Sequence, residues 1–201
     1  MSLKLHIIFV LSLVLQLTTS LYAQEQTINV TNYLTEDYRD YPFTKISLKL
    51  PDGYAFSPID NGFRNEKAKS VIRIEEVTAP VLSVADGFLR RFDITTAIDS
   101  FGFTLREKMG VMLNNKYRGF LVGLSAEVDG DDYSHVWLFI GDETKTYVIK
   151  AMTPEDNGEG EIRTLRAAIL SVFYDPTRIM LAPGQDPTST SSSSCKCNDK
   201  K

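Results

Sequence analysis

Few side chains in this chain have the chemistry to act on a substrate. Of its two histidines, His6 falls in an apolar N-terminal run, which leaves His135 as the one imidazole for the folded part. A Ser-His-Asp or Cys-His centre needs a base that reaches both a nucleophile and solvent. His135 instead opens the most apolar stretch of the sequence, Val136-Trp-Leu-Phe-Ile140. The expectation is a strand-end residue bonded to backbone or water, with pH sensing open as a second role. Cys195-Lys-Cys197 offers two thiols, whereas a closed zinc site takes four ligands. An intermolecular disulfide, metal capture by two tails and no role at all stay open, and no role is the expectation. Asp129, Asp131 and Asp132 could offer oxygen to a hard cation, but Asp-Gly-Asp-Asp is also hairpin-turn chemistry, and no Glu stands where a calcium loop requires it. Glu155, Asp156, Glu159 and Glu161 could supply an acid/base pair, yet they equally suit a loop and a helix N-terminus. Trp137 and Phe139 could form a ligand platform; in a strand apolar on both sides they read as core. No G-x-S-x-G elbow, Walker loop, H-E-x-x-H or dinucleotide glycine fingerprint is present. The expected set of catalytic, cofactor-binding and metal-binding residues is therefore empty, and no cofactor is expected.

The elements that would position these residues are strands. From Lys116 to Pro154, apolar, β-branched and aromatic runs are separated by Asp129-Gly-Asp-Asp132 and Gly141-Asp-Glu-Thr144, the signature of consecutive antiparallel strands. Val136–Ile140 shows no alternation, and a strand apolar on both sides must be covered on both sides. The sheet is then a middle layer. Phe101 to Leu113 alternates with period two and predicts a long strand, with a bulge at Gly110 and a tight turn at Asn114-Asn115. Ile46, Leu48 and Leu50 predict a half-buried strand, followed by a Pro51-Asp-Gly53 turn, and Val71–Val77 predicts another. Val84, Phe88 and Phe92 repeat at helical spacing behind a Ser83/Asp86 capping box, which predicts a helix over 84–93. Ile162, Leu165, Ile169 and Val172 predict a second helix over 161–173.

Composition bounds the rest. The chain has 201 residues, 43% hydrophobic and 24% charged, ordinary for a globular protein. Residues 1–23 read as a secretory signal: Lys4 supplies the positive region, Ile7 to Leu15 the apolar core, and Leu21-Tyr-Ala23 a cleavage point. That core is much shorter than the ~20 residues that span a bilayer, so no transmembrane span is expected in the mature chain. Formal charge is -4, and residues 1–23 carry one Lys and no acid, so the mature chain is more acidic still. Neither nucleic acid nor an anionic membrane is expected as the main partner. Residues 24–44 are polar and aromatic without a period, residues 45–176 form one domain, and residues 177–201 are a Ser/Thr-rich tail expected to be disordered. Both cysteines lie in that tail, so the domain must be held by packing alone.

The run of features resembles the PsbP-like superfamily, which includes PsbP, the Ran-binding Mog protein and DcrB. It is carried by the opening Ile46-Ser-Leu-Lys-Leu-Pro-Asp-Gly-Tyr-Ala-Phe-Ser57, a helix after Pro80, a long strand into the Tyr117–Leu124 hairpin, then Tyr133–Ile140, Tyr147–Pro154 and a final Leu165–Val172 helix. The resemblance implies an α+β fold, a central antiparallel sheet with helices on both faces in an α/β/α sandwich, and a non-catalytic binding or assembly role. Function does not travel with a fold. The leading expectation is an exported, non-enzymatic module of a bacterial envelope, periplasmic or secreted, that binds a protein partner. A small-ligand or divalent-cation carrier using the Asp129–Asp132 loop is the alternative. A carboxylate-based hydrolase, needing two carboxyls ~5–10 Å apart in one pocket, is the weaker one.

Overall fold

The computed structural model describes residues 27–42, 44–93 and 95–178. Residues 1–23, read as a secretory signal, and the tail segment with Cys195 and Cys197 lie outside the described residues. The fold is α+β. In chain order the elements are β1 (Thr27–Val30), β2 (Tyr38–Asp40), β3 (Ile46–Lys49), β4 (Ala55–Ser57), β5 (Gly62–Asn65), β6 (Ser70–Val77), α1 (Val81–Leu89), β7 (Thr104–Leu113), β8 (Tyr117–Val128), β9 (Asp131–Gly141), β10 (Thr146–Pro154), a 3-10 turn (Glu155–Asn157), α2 (Gly158–Leu170) and β11 (Phe173–Tyr174).

Eight strands form one large sheet in the order β1-β7-β8-β9-β10-β6-β5-β4, and β11-β3-β2 form a second, small one. The central meander is as expected: β8, β9 and β10 pair antiparallel in unbroken register. The β7–β8 and β8–β9 turns use the predicted residues. Asn114 and Asn115 take φ 51° and 53°, and Asp129-Gly130 takes 54° and 87°, the paired positive angles of two-residue hairpin turns.

The large sheet is mixed, which corrects the expectation of a wholly antiparallel one. β1 runs parallel to β7, Thr27 opposite Gly110 and Val30 opposite Leu113. Residues 24–44 offer no period because β1 is only four residues long and its partner lies far along the chain. It is fixed by Asn32, whose backbone N–H donates to Asn114 Oδ1 (2.6 Å) and whose amide donates to the Leu170 and Val172 carbonyls (2.8 Å each). The bulge also differs. It falls between Leu105 and Glu107, not at Gly110. Gly110 is paired on both sides, by Thr27 and Phe120, whereas β1 does not reach the bulged stretch. β3 is buried on both sides rather than half-buried, because it is the middle strand of the small sheet. Its Ser47 hydroxyl donates to Asp40 Oδ1 (2.6 Å) and accepts from Arg178 (2.7 Å).

Both helices begin earlier than predicted. α1 starts at Val81 behind Pro80, with no side-chain cap from Ser83. Pro suits this junction, and the Val81 N–H, which lacks a helical acceptor, donates to the Asp142 carbonyl of the sheet (3.2 Å). α2 starts at Gly158, and Phe173, expected to end it, pairs with Ser47 in β11.

Val136–Ile140 is buried throughout. Its residues divide by parity, as alternation along a strand requires. Val136, Leu138 and Ile140 belong to a large aliphatic cluster with Leu121, Ile149, Ile46, Leu48 and Leu165, Ala168 and Ile169 of α2. Trp137 and Phe139 belong to a smaller one with Val122, Val148 and Val81, Ala85 and Phe88 of α1.

Candidate functional site

Strand register decides which loops meet. Tyr133 stands opposite Pro154, and Met152 opposite Val71. The β8–β9 hairpin tip, the β10–α2 connection and the β5–β6 turn therefore reach the same end of the large sheet. Between them is a cleft of ≈ 510 Å³, lined by Lys67–Lys69, Gly130–Tyr133 and Pro154–Asn157.

Its walls are held by hydrogen bonds between distant segments. Next to the lining residues Lys69 and Pro154, the buried Ser70 hydroxyl donates to Thr153 Oγ1 (2.8 Å). The Asn157 amide donates to the same oxygen (2.8 Å) and to the Ala68 carbonyl (2.6 Å), tying the 3-10 turn to the β5–β6 turn. Within that turn the Ala68 N–H donates to Asn65 Oδ1 (3.1 Å), and Lys69 takes a positive φ of 52°. These bonds satisfy polar groups that burial would otherwise penalise.

The cleft brings most of the acidic candidates together. Asp131 and Asp132 line the hairpin wall and Glu155 and Asp156 the turn wall, with Lys67 and Lys69 on the third. Asp129 is not a lining residue; it makes the turn. Glu155 also borders an adjoining groove with Ser134, Glu159 and Ile162. Glu161 is used elsewhere: it accepts the Tyr54 hydroxyl (2.7 Å). Burial and that carboxylate hold the Tyr54 phenol well above its ordinary range. Among the described residues no group of three or more His, Cys, Asp or Glu side chains is placed to hold a metal ion.

His135 is not at a strand end. It is the fifth residue of β9, because the hairpin extends the strand back to Asp131. It is buried, 7% exposed, with Phe103 at 5.3 Å edge-on and Tyr133 and Trp137 at 6.4 Å. Its Nε2 has no hydrogen-bond partner among the described residues. Desolvation lowers its pKa to about 4, so the ring is neutral at ordinary pH. Trp137 and Phe139 are core, as predicted; the Lys150 ammonium lies 4.7 Å over the indole ring.

At the other end of the sheet a pocket of ≈ 400 Å³ is lined by Lys116, Arg118, Asp142 and Glu143, among others. Asp142 there is occupied with structure. Burial pushes its carboxyl up, but the Tyr174 hydroxyl (2.6 Å) and the N–H groups of Thr144 (2.8 Å) and Lys145 (3.0 Å) outweigh it and hold the pKa well below the usual carboxylate range.

Sequence reasoning found the acidic residues and missed Lys67, Lys69, Thr153 and Asn157. Each lies in a segment with no motif, and the cleft exists only because strand register brings those segments together.

No protein-family model matches the sequence, and no curated protein matches it. Solved structures do. The cyanobacterial PsbP (CyanoP) of Synechocystis superposes with a TM-score of 0.50 at 13% identity, covering 71% of this chain and 95% of that one. LpqN of Mycobacterium tuberculosis, involved in cell envelope biogenesis, gives 0.48 at 12% identity over 65% of this chain and 83% of that one. PA94 of Pseudomonas aeruginosa, a protein of unknown function, gives 0.45 at 15% identity over 65% and 92%. The likeness to CyanoP establishes a PsbP-like fold and nothing about activity.

Proposed function

We propose that this protein is an exported, non-enzymatic binding module of a bacterial envelope that seats a segment of a protein partner in the cleft at the Lys67–Asp131–Glu155 end of the sheet. Helices α1 and α2 cover opposite faces of that sheet, which fits the division of β9 into two clusters by residue parity. The face-covering helices leave loop-built surface at the sheet ends for a partner, where binding residues commonly sit.

One observation carries the reading. The cleft sets two lysines against four carboxylates on walls fixed by the Ser70–Thr153–Asn157 bonds, while the one described imidazole is buried among aromatic rings away from any of them. Opposed charges on rigid walls suit a polypeptide segment carrying both signs, for which charge complementarity sets register and on-rate. Export rests on the leader-like residues 1–23.

The test is affinity capture from the native envelope with full-length protein, the same chain ending near Pro176, and a Lys67→Glu/Lys69→Glu variant. A discrete partner held by the first two and lost from the charge-reversed variant supports the cleft. A partner held equally by all three places binding elsewhere. Turnover of an envelope substrate, abolished by a single substitution in a folded variant, ends the non-enzymatic reading.

A further inference from the structure

The segment from Ala97 to Phe103 lies over the part of the β9 face that carries His135 and Trp137. Phe103 packs edge-on against both rings, at 5.3 Å and 5.4 Å. The segment is built as a self-contained unit. Asp99 accepts the N–H groups of Phe101 (2.9 Å) and Phe103 (3.0 Å) and the Arg91 guanidinium (2.5 Å). Asp99 N–H donates to the Phe103 carbonyl, and Leu105 N–H to the Ala97 carbonyl. Ile98 bridges Thr104. These bonds all close within residues 91–105. Thr104 and Leu105 stay paired with Ser125 and Leu124 of β8, so an outward swing of residues 97–103 hinges at that junction and gives up the Ile98–Thr104 and Leu105–Ala97 contacts. Ala97 holds a positive φ of 56°, a conformation costly for a side chain with a Cβ. The outer side bears Phe101 and Ile98, 73% and 46% exposed, with Arg91 stacked 4.4 Å over the Phe101 ring.

Beneath it, His135 Nε2 and Trp137 Nε1 are both buried and both without partners among the described residues, a rare condition for native polar groups. The neighbours of His135 in the sheet are apolar: Leu124 of β8 and Met152 of β10. The charged and titratable groups on the surrounding elements are Tyr133 on β9, Lys150 of β10 with its Glu75 partner from β6 (2.6 Å), Lys108 of β7 opposite Val122, and Arg91 with Asp99 on the cover side. Asp99 is already bonded to Arg91 and two N–H groups, and Glu75 to Lys150. Among the described residues none accepts from His135 Nε2 in the closed form, whereas bulk water would accept from the imidazolium of an open one.

We propose that Ala97–Phe103 is an acid-released cover: protonation of His135 drives Phe103 off the β9 face and lays bare the ring of Trp137. The protonated ring is solvated in the open form and stranded in the closed one, so acid favours opening. The linkage is one-signed. The closed-form pKa of about 4 lies below the ordinary 6.5, so the opening equilibrium is unaffected above that ordinary value and rises by up to about 300-fold as pH falls through the window between them. The uncovered patch, His135 and Trp137 with Phe103 displaced, would be an aromatic surface present in acid and absent at neutral pH.

The chain has a single tryptophan, so Trp137 reports the event directly. Acrylamide quenching of the full-length protein would be followed from about pH 7.5 to about pH 4, with far-UV circular dichroism on the same samples. The expected result is a reversible several-fold rise in quenching while the β-sheet signal is kept. His135→Phe, which fills the cage without a titrating group, should stay unquenched; if it does not fold, His135→Gln takes its place. Asp99→Asn should open at higher pH than the wild type. The proposal is overturned by equal quenching in the His135 variants. It is overturned as well by opening only with loss of sheet signal, or by no change across the range.

Discussion

The two sides of strand β9 are built differently. Val136, Leu138 and Ile140 point into a cluster that is mostly aliphatic, takes residues from both sheets and α2, and leaves no polar side-chain nitrogen among them. His135, Trp137 and Phe139 point into a smaller, aromatic cluster under a nine-residue helix and one irregular segment, and two of those three carry buried nitrogen atoms without partners among the described residues. Burial alone does not separate these sides; both are nearly solvent-free. The difference is in what is buried: among the described residues the aliphatic side holds an unpartnered phenol oxygen, Tyr147, whereas the aromatic side holds two unpartnered ring nitrogens, one of them an imidazole that acid can protonate. A close-packed aliphatic layer fixes one arrangement, whereas an aromatic layer with unsatisfied polar groups holds a cost that a change of pH can release.

The comparison can be broken by experiment. The largest effect should come from Trp137→Ala, about 3–5 kcal/mol of unfolding free energy, against about 2–5 kcal/mol for Leu138→Ala on the opposite side. Chemical denaturation measures both, and a Trp137→Ala protein of unchanged midpoint would show that the aromatic side adds little to the core. Next, acid should weaken the aromatic side alone. Because the folded-state pKa of His135, about 4, lies below its ordinary 6.5, the unfolded chain binds the extra proton. Stability is whole above that ordinary value and falls by up to about 3 kcal/mol as pH drops to the folded-state pKa. Denaturation of the wild type and of His135→Phe across that window isolates the effect from the carboxylates; equal losses would remove His135 as the cause.

Two glycines give the smaller effects, of opposite sign. A Cβ at Gly119 would lie 2.5 Å from the Phe139 carbonyl oxygen and 3.1 Å from Ile140 Cδ1, so Gly119→Ala should cost about 1–3 kcal/mol. A Cβ at Gly87, in the exposed face of α1, meets nothing within 4 Å. Gly87→Ala should therefore stabilise the protein by up to about 1 kcal/mol. Thermal midpoints moving in opposite directions would sharpen the contrast between a filled layer and a spacious one.

The meander was legible because its cues are local. Period-two runs, Asn-Asn and Asp-Gly turns and the unbroken Val136–Ile140 run each act over a few residues. What escaped was pairing at long range. β1 has two apolar residues in four and is fixed by Asn32 reaching residues far along the chain. The start of α1 depends on the Asp142 carbonyl, a sheet atom that no capping motif encodes. The shift of the bulge from Gly110 depends on where β1 stops. The acidic residues of the cleft were visible singly as turn and helix-start residues; their convergence with Lys67 and Lys69 is a product of register.

The Asn32 clasp bears on the order of events during synthesis. Its acceptors, Leu170 and Val172, belong to the final helix and the residues just after it. The strand made first is thus fully clasped only late: β7 and Asn114 can pair with it once they emerge, but the Leu170 and Val172 carbonyls arrive with the other end of the domain. The edge of the large sheet therefore closes after its centre, and the two ends of the domain set together.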